Sequence, residues 1–395
     1  MRILRSIHTL NPAGGGPIEW VTRSSLVLSR LGHKVDIISL DAPGDPWLRQ
    51  TPLKVHPLGP GRGGYGYSPR FLPWIREHRR EFDVVLVHGL WQYISFAVWR
   101  ALHGTETPYF VFPHGMLDPW FKRTYPLKHI KKLLYWPWAE YRVLRDAAAV
   151  LFTSEGERRL ARESFALYQC NEQVVNYGTE APPVDLEVTR EEFLNHFPQL
   201  RGKRLLLFLG RLHTKKGCDL LIPAFLALHR SGRFDRGLHL VMGGPCANDC
   251  YLRHLRDLAG STPGDDQGET PVTFTGMLDG RLKWGAFAAA EAFILPSHQE
   301  NFGIAVAESL ACGTPVLISN KVNIWREIID DGAGLAEEDD TEGTTRLIQR
   351  WLMTPEVERQ GMREKARACF ERHFHIELAV ASLLQVLRAS VPAAP

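Results

Sequence analysis

The stretch Ser297-His298-Gln299-Glu300-Asn301-Phe302-Gly303-Ile304-Ala305-Val306-Ala307-Glu308 decides how this chain is read. Before it runs Ala292-Phe293-Ile294-Leu295-Pro296, an apolar segment with the length of a buried parallel strand. After Gly303 the residues from Ile304 to Ala311 are helical in pattern, and Gly313 and Pro315 mark the end of that run. The stretch is therefore expected to be a strand-to-helix turn at the carboxyl end of a strand, where open α/β sheets bind ligands. Gly303 lets a ligand approach the backbone, and the unpaired N–H groups of a new helix favour an anion there. Glu300 and Glu308 flank that position, spaced to hold hydroxyls on either side of a bound phosphate. The plain alternative makes both of them solvated surface glutamates. Against it, Glu308 interrupts an apolar helix face of Ile304, Ala305, Ala307 and Ala311, and a carboxylate in such surroundings needs a partner.

The spacing of the two glutamates resembles the E-x7-E motif of the retaining family-four (group 1) glycosyltransferases. With the segments described below, the resemblance covers nearly the whole chain. It implies an α/β fold of two Rossmann-like, doubly wound parallel-sheet domains facing a cleft, the GT-B architecture. It also implies that Glu300, Asn301, Phe302, Gly303, Ile304 and Glu308 meet a nucleoside-diphosphate sugar, with Glu308 on the ribose hydroxyls and Glu300 orienting the sugar.

Size and composition agree with two ordinary domains. The chain has 395 residues, of which 44% are hydrophobic and 23% charged. A net charge of +3 gives no reason to expect nucleic acid as a partner. No apolar run approaches membrane-spanning length, and the first residues lack a secretory apolar core with a cleavage site. Six cysteines in so long a chain do not make a disulfide framework. These features lead to the expectation of a cytoplasmic protein with reduced thiols.

In the first half, Arg2 to Leu10 reads as a strand, followed by the glycine-rich turn Asn11–Pro17 and a helix to about Leu31. A plain tight turn is the alternative to a phosphate loop, because the dinucleotide fingerprint is imperfect: Gly14 and Gly16 are present, but Glu19 replaces the third glycine. By resemblance, Gly15 and Gly16 would approach the donor phosphates. Further strands are expected at Lys34–Leu40, Asp83–His88 and Tyr109–Pro113, with a flexible loop from Leu58 to Pro69 that suits a mobile surface loop better than an acceptor-side lid. Pro113-His114-Gly115 sits at a strand end, where a histidine either reaches a ligand or packs quietly against backbone. The family has a histidine in this place close to the donor sugar, so His114 is carried over, with His88 ranked behind it. From Trp120 to Arg145, lysines and arginines are interleaved with Tyr and Trp. This mixture suits peripheral contact with an anionic membrane or a lipid-linked acceptor. It equally suits a packed helix, kinked at Pro137, with a solvated basic face.

Glu180–Asp185 breaks the pattern, so the sequence divides into 1–185 and 186–374, with a final helix (375–395) crossing back onto the first domain by resemblance. In the second half, Arg204–Leu209 leads into Gly210-Arg211-Leu212-His213-Thr214-Lys215-Lys216-Gly217. Arg211 and Lys216 place two cations at a strand's carboxyl end. The segment matches the family's G-R-x4-K-G signature, whose Arg and Lys hold the donor diphosphate. By the same resemblance, the backbone around Met277 would meet the nucleotide base. Cys246, Cys250 and His254 could share a helical face, but no fourth ligand is evident, and no metal or other cofactor is expected beyond the UDP- or GDP-linked sugar as co-substrate. The absence of any Asp-x-Asp pair agrees with this expectation.

The sequence thus points to a retaining hexosyltransferase. It would act on a glycan or lipid-linked glycan in surface polysaccharide biosynthesis, with His114, Arg211, Lys216 and Glu300 in catalytic roles. Three alternatives stand beside it: a same-fold epimerase or phosphorylase, an NAD-dependent oxidoreductase using Gly14, Gly16 and Asp41, and a non-catalytic sugar-binding protein.

Overall fold

The structure, a computed structural model, describes residues 1–49, 51–232, 237–260 and 270–390. The chain forms two compact units, one from Met1 to Gly178 joined by the segment from Ile376 onward, the other from Thr179 to His375. The division falls ahead of the Glu180–Asp185 break marked in the sequence.

The first unit holds a parallel sheet of β1 (Arg2–Ile7), β2 (Lys34–Ser39), β3 (Lys54–Pro57), β4 (Val84–His88), β5 (Tyr109–Phe112), β6 (Ala149–Phe152) and β7 (Glu172–Val174). The spatial order is β3-β2-β1-β4-β5-β6-β7. β4, β5 and β6 are buried along their whole length, which explains why they read as unbroken apolar runs rather than alternating ones. β3 is hidden in the sequence because KVHP is short, half polar and ends in proline, all marks of an edge strand.

Helix Gly16–Arg30 follows β1, with proline in its first turn, and buries Ile18, Trp20, Val21, Val27 and Leu28. The helix Ile376–Ser390 packs against it and buries Val380, Leu383 and Leu387. Residues 391–395, expected from the sequence to extend that helix, lie outside the described residues.

Two expectations need correction here. The Leu58–Pro69 loop is not a free surface loop. The Tyr65 carbonyl accepts the Tyr93 N–H at 2.8 Å, its hydroxyl meets that of Tyr135 at 2.5 Å, and its ring packs on the first unit's core. Glycine content alone overlooks such tyrosine anchors. The Trp120–Arg145 segment is not one kinked helix but three short ones, Trp120–Thr124, Pro126–Tyr135 and Glu140–Arg145. Pro126 opens the second of these, and Pro137 lies in the break before the third.

The second unit holds β8 (Arg204–Leu209), β9 (Leu238–Gly243), β10 (Val272–Gly276), β11 (Ala292–Leu295), β12 (Val316–Ser319) and β13 (Gly334–Glu337), all parallel. Their order, β10-β9-β8-β11-β12-β13, repeats that of the first six strands of the other sheet. Phe293, Ile294 and Leu295 of β11 are at most 2% exposed. Each contributes about 1.5–3 kcal/mol through burial. In each sheet the strand order reverses once, between β1 and β4 and between β8 and β11. The carboxyl ends of strands flanking such a reversal are the standard position for ligands in open sheets of this kind.

Candidate functional site

At the reversal in the second sheet, the loop after β8 carries Arg211 and Lys216, and the loop after β11 carries Glu300. Gly217 lets the two loops touch. Its φ is 70°, and a Cβ there would lie 2.2 Å from the Pro296 carbonyl oxygen. The Lys215 carbonyl accepts the His298 N–H at 2.9 Å and the Ser297 hydroxyl at 3.0 Å, which stitches the loops together. Across this seam the Lys216 ammonium pairs with the Glu300 carboxylate. Both side chains are only about one-sixth exposed, at 16% and 15%. Burial alone would raise the Glu300 carboxyl, but Lys216 with Lys215 and Arg211 outweighs it and holds the group below the usual carboxylate range. The backbone of Glu300 is fixed by Lys321 O and Asn323 N, each at 3.0 Å, so the carboxylate has a rigid base.

Immediately beyond, Gly303 has φ 80° and caps the helix Ile304–Ala311, the span expected from the sequence. The N–H groups of Gly303, Ile304 and Ala305 make no backbone hydrogen bond among the described residues. Three cations and an open helix end thus surround one carboxylate at the reversal of the sheet, an arrangement suited to an anion with polar substituents. Phe302 does not share this role through its side chain, which is 4% exposed and packs edge-on against Phe374. Met277 follows β10 and is 65% exposed, and Asn301 and Ile304 are partly exposed.

Glu308 is 5% exposed, and its carboxylate receives a hydrogen bond from Lys283 at 2.6 Å. The apolar helix face demanded a partner, and Lys283 on helix Gly280–Ala289 supplies it. Nothing in the sequence singles out Lys283, because it lies in no motif and twenty-five positions away.

In the first unit, Gly15 (φ 83°) precedes the helix Gly16–Arg30. The Gly16 carbonyl accepts the Tyr177 hydroxyl at 3.3 Å. Tyr177 stacks on Trp20 with centroids 4.4 Å apart and presents its ring to His114 at 6.0 Å. His114 has φ 50°, a left-handed conformation unusual for any residue but glycine. Two contacts hold it there. Its Nε2 lies 3.0 Å from His88 Nδ1, and the next residue, Gly115, donates its N–H to Glu157 at 2.6 Å. Glu157 also accepts the N–H and hydroxyl of Thr153 at 2.7 and 2.8 Å. Burial, with the buried Arg5 guanidinium nearby, lowers the His114 pKa to about 3, so the ring is neutral at physiological pH. His114 and His88 stand out in the sequence, whereas Arg5, Glu157 and Tyr177 belong to no common motif and escape notice there.

Three other sequence readings meet the structure here. Asp41, which the oxidoreductase reading needs for ribose hydroxyls, already accepts Thr9 Oγ1, Leu10 N (2.9 Å) and Trp47 Nε1 (3.1 Å). Cys246 precedes the helix Asp249–Ala259 rather than sharing its face with Cys250 and His254, and its thiol sits 3.3 Å from Leu212 O. Helix Pro126–Tyr135 has no buried residue and turns Leu127 (77% exposed), Ile130 and Leu134 to solvent, beside Lys128 and Lys131. Among the described residues no helix is long and apolar enough to cross a membrane.

Comparison with known proteins places these loops in context. Residues 15–178 match the glycosyl transferase 4-like domain family, and residues 190–368 match the glycosyl transferases group 1 family. The chain is 26% identical to the GDP-mannose-dependent alpha-(1-6)-phosphatidylinositol dimannoside mannosyltransferase of Mycobacterium tuberculosis, over 98% of this chain and 96% of that protein. Among solved structures it resembles the sucrose-phosphate synthase of Thermosynechococcus elongatus (TM-score 0.76, 20% identity, 98% of each chain). It also resembles the HepE protein of Anabaena solved with UDP and glucose (TM-score 0.75, 14% identity, 98% of this chain and 100% of that one). With an E-x7-E loop and a G-R-x4-K-G loop side by side at the reversal of a Rossmann-like sheet, and both halves matched by these families, the chain belongs to the group 1 glycosyltransferases of GT-B fold.

Proposed function

We propose that the protein moves a hexosyl group from a UDP- or GDP-linked sugar to a lipid-linked glycan or glycolipid in surface polysaccharide biosynthesis, with retention of anomeric configuration and without an essential metal. The observation that carries this reading is the Lys216–Glu300 pair at the β8/β11 reversal, next to Arg211 and the open helix end at Gly303. In the reading, Arg211 forks onto phosphate oxygens, Lys216 adds a point charge, and the Gly303–Ala305 N–H groups complete the cradle. Positive groups fixed where charge develops on the departing diphosphate do the work a divalent cation does elsewhere. Such preorganised electrostatics often contributes more to catalysis than any other effect. Glu300 orients the sugar, Glu308 holds the ribose hydroxyls, the backbone near Met277 meets the base, and Gly15 and Gly16 approach the phosphates. Neutral His114 contacts the transferred sugar. The acceptor hydroxyl attacks on the face the diphosphate leaves.

Support for a lipid-linked acceptor comes from the helix Pro126–Tyr135. Its outward aliphatic stripe beside lysines suits the interface of an anionic bilayer. The mycobacterial relative's name, which specifies a phosphatidylinositol-based acceptor, agrees.

The test is a thermal-shift panel of UDP, GDP and their hexose conjugates, followed by transfer assays with the sugars that bind and with chelator present. One nucleotide and its conjugate should raise the melting temperature, because only ligands of the folded state do so. Failure of every nucleoside diphosphate to bind removes the reading, and loss of transfer in chelator removes its metal-free part.

A further inference from the structure

We propose that His88 is a positioning residue that fixes His114 as the Nδ1-protonated tautomer, so that His114 meets the sugar as a neutral N–H donor from Nδ1. This rests on the transferase reading above, in which His114 contacts the donor sugar.

His88 is 3% exposed, and its Nε2 is buried with no hydrogen-bond partner among the described residues. Its other nitrogen, Nδ1, lies 3.0 Å from His114 Nε2. Two neutral imidazoles can share that bond in two ways, and each choice dictates what His88 Nε2 carries. If His114 donates, His88 accepts at Nδ1 and must bear its own proton on Nε2, leaving a buried N–H unpaired. If His88 donates, Nε2 is left as a bare lone pair. Orphaned buried N–H groups are rarer in proteins than under-satisfied acceptors, so the second arrangement is favoured.

The surrounding charge keeps both rings neutral, as the choice between these two arrangements requires. Arg5 is fully buried, with Nη1 held by Val21 O (3.1 Å) and Ser24 Oγ (2.7 Å) while its Nε and Nη2 remain unbonded. Its positive charge acts on both histidines and opposes a second proton on either ring. The rings are held in place by packing. His88 stacks on Phe112 at 5.0 Å (interplanar angle 8°), and Phe112 and His114 are nearly parallel at 14°. With Nε2 occupied by His88, the nitrogen His114 has left for a ligand is Nδ1, and on this assignment it carries the proton.

The consequence is chemical. His114 cannot take a proton from the acceptor through Nε2. Its role is to donate to a sugar oxygen, and a tautomer mixture would present a lone pair to that oxygen part of the time.

Long-range proton–nitrogen NMR spectra of nitrogen-15-histidine-labelled protein read the tautomer directly and need no substrate. His114 is expected to show a protonated Nδ1 and a bare Nε2. Two variants separate positioning from plain packing. His88→Asn keeps a side-chain N–H close to where Nδ1 stands, whereas His88→Leu keeps bulk without a donor. His88→Leu is expected to give a mixed tautomer signal at His114 and to lower kcat ten- to a hundredfold while KM for the donor changes less than threefold. His88→Asn is expected to restore the single tautomer and at least half of the wild-type kcat. Folding of each variant is checked by its melting temperature. A protonated Nε2 on wild-type His114, or equal kcat in His88→Leu and wild type, overturns the proposal. An Nδ1-protonated His114 in a protein that transfers no sugar keeps the tautomer and removes the transferase reading instead.

Discussion

His88 Nδ1 and His114 Nε2 are 3.0 Å apart, in surroundings that keep both rings uncharged. Burial is the main cause for each, and the Arg5 cation adds to it. The pH dependence of folding follows in sign. A histidine that stays neutral in the native state but titrates near 6.5 when unfolded stabilises the fold above that pH. That stability is lost as pH falls, because the unfolded chain binds the proton first, and the loss continues down to about pH 3 for His114. The slope is about 1.4 kcal/mol per pH unit for each histidine. Urea unfolding of wild type and of His114→Asn, whose side chain tolerates the left-handed backbone, should therefore diverge in acid. Between pH 7 and pH 5 the wild type should lose about 2 kcal/mol more than the variant. Parallel pH curves would contradict a neutral His114.

The Lys216–Glu300 pair makes a second pH-dependent contribution, at lower pH. The Glu300 carboxyl is held below its usual value, so the pair's stabilisation is complete at neutral pH and is lost in acid as the carboxylate takes up a proton. Lys216→Met should remove about 1–3 kcal/mol at pH 7, between the surface and fully buried cases, and progressively less toward pH 3. It should also lower transfer by two or more orders of magnitude through loss of diphosphate stabilisation. Glu300→Gln should impair transfer while leaving nucleoside diphosphate affinity nearly intact. Calorimetric titration with the nucleotide, beside initial rates, separates these effects. Normal turnover in Lys216→Met would remove the residue from the phosphate site.

Why some of this is legible in the sequence and some is not comes down to range. The turn before Ile304 is readable because apolar run, glycine and helix follow one another locally, and the structural helix matches that span. Most strands of both sheets announce themselves because they are covered on both faces, so burial leaves continuous apolar runs such as AFIL in β11. Pairings across the fold leave no such trace. Lys283 meets Glu308 from a neighbouring helix, Glu157 reaches back forty-two positions to Gly115, and Tyr177 contacts Gly16 from the far end of the unit. In each case one residue signals a need, a buried carboxylate or a strained turn, and only the folded chain can name its answer. Phe302 shows the reverse case: it lies inside a motif, yet its side chain packs against Phe374 in the core.

The Lys283–Glu308 bond separates two roles of one carboxylate. If Glu308 holds the ribose hydroxyls, Glu308→Gln should weaken nucleotide binding by about 1.5–3 kcal/mol, roughly ten- to a hundredfold. Lys283→Met leaves the Glu308 carboxylate 5% exposed and without its ammonium, so its main effect should be a lower melting temperature. Equal nucleotide affinity in Glu308→Gln and wild type would leave Glu308 a structural ion-pair partner only.

The helix Pro126–Tyr135 inverts the usual arrangement of a surface helix. His129 and Lys132 are partly covered, with the Lys132 ammonium 4.5 Å from the Trp91 ring, while Leu127, Ile130 and Leu134 face water. Solvated helices place their aliphatic side chains the other way; Leu133 is exposed here too, and the proposed function takes this face as the contact surface. On the proposed reading, lysines at its margin favour an anionic partner. Vesicle sedimentation should therefore show the wild-type protein on phosphatidylglycerol-containing membranes and far less on pure phosphatidylcholine, with binding falling as salt is raised. Leu127→Glu with Leu134→Glu should abolish it. These side chains are 77% and 72% exposed, so the double variant should keep its melting temperature within a few degrees. Its transfer to a water-soluble acceptor analogue should be unchanged, while transfer to the same acceptor embedded in vesicles should drop at least tenfold. Vesicle binding that survives the double substitution would place the membrane contact elsewhere on the chain.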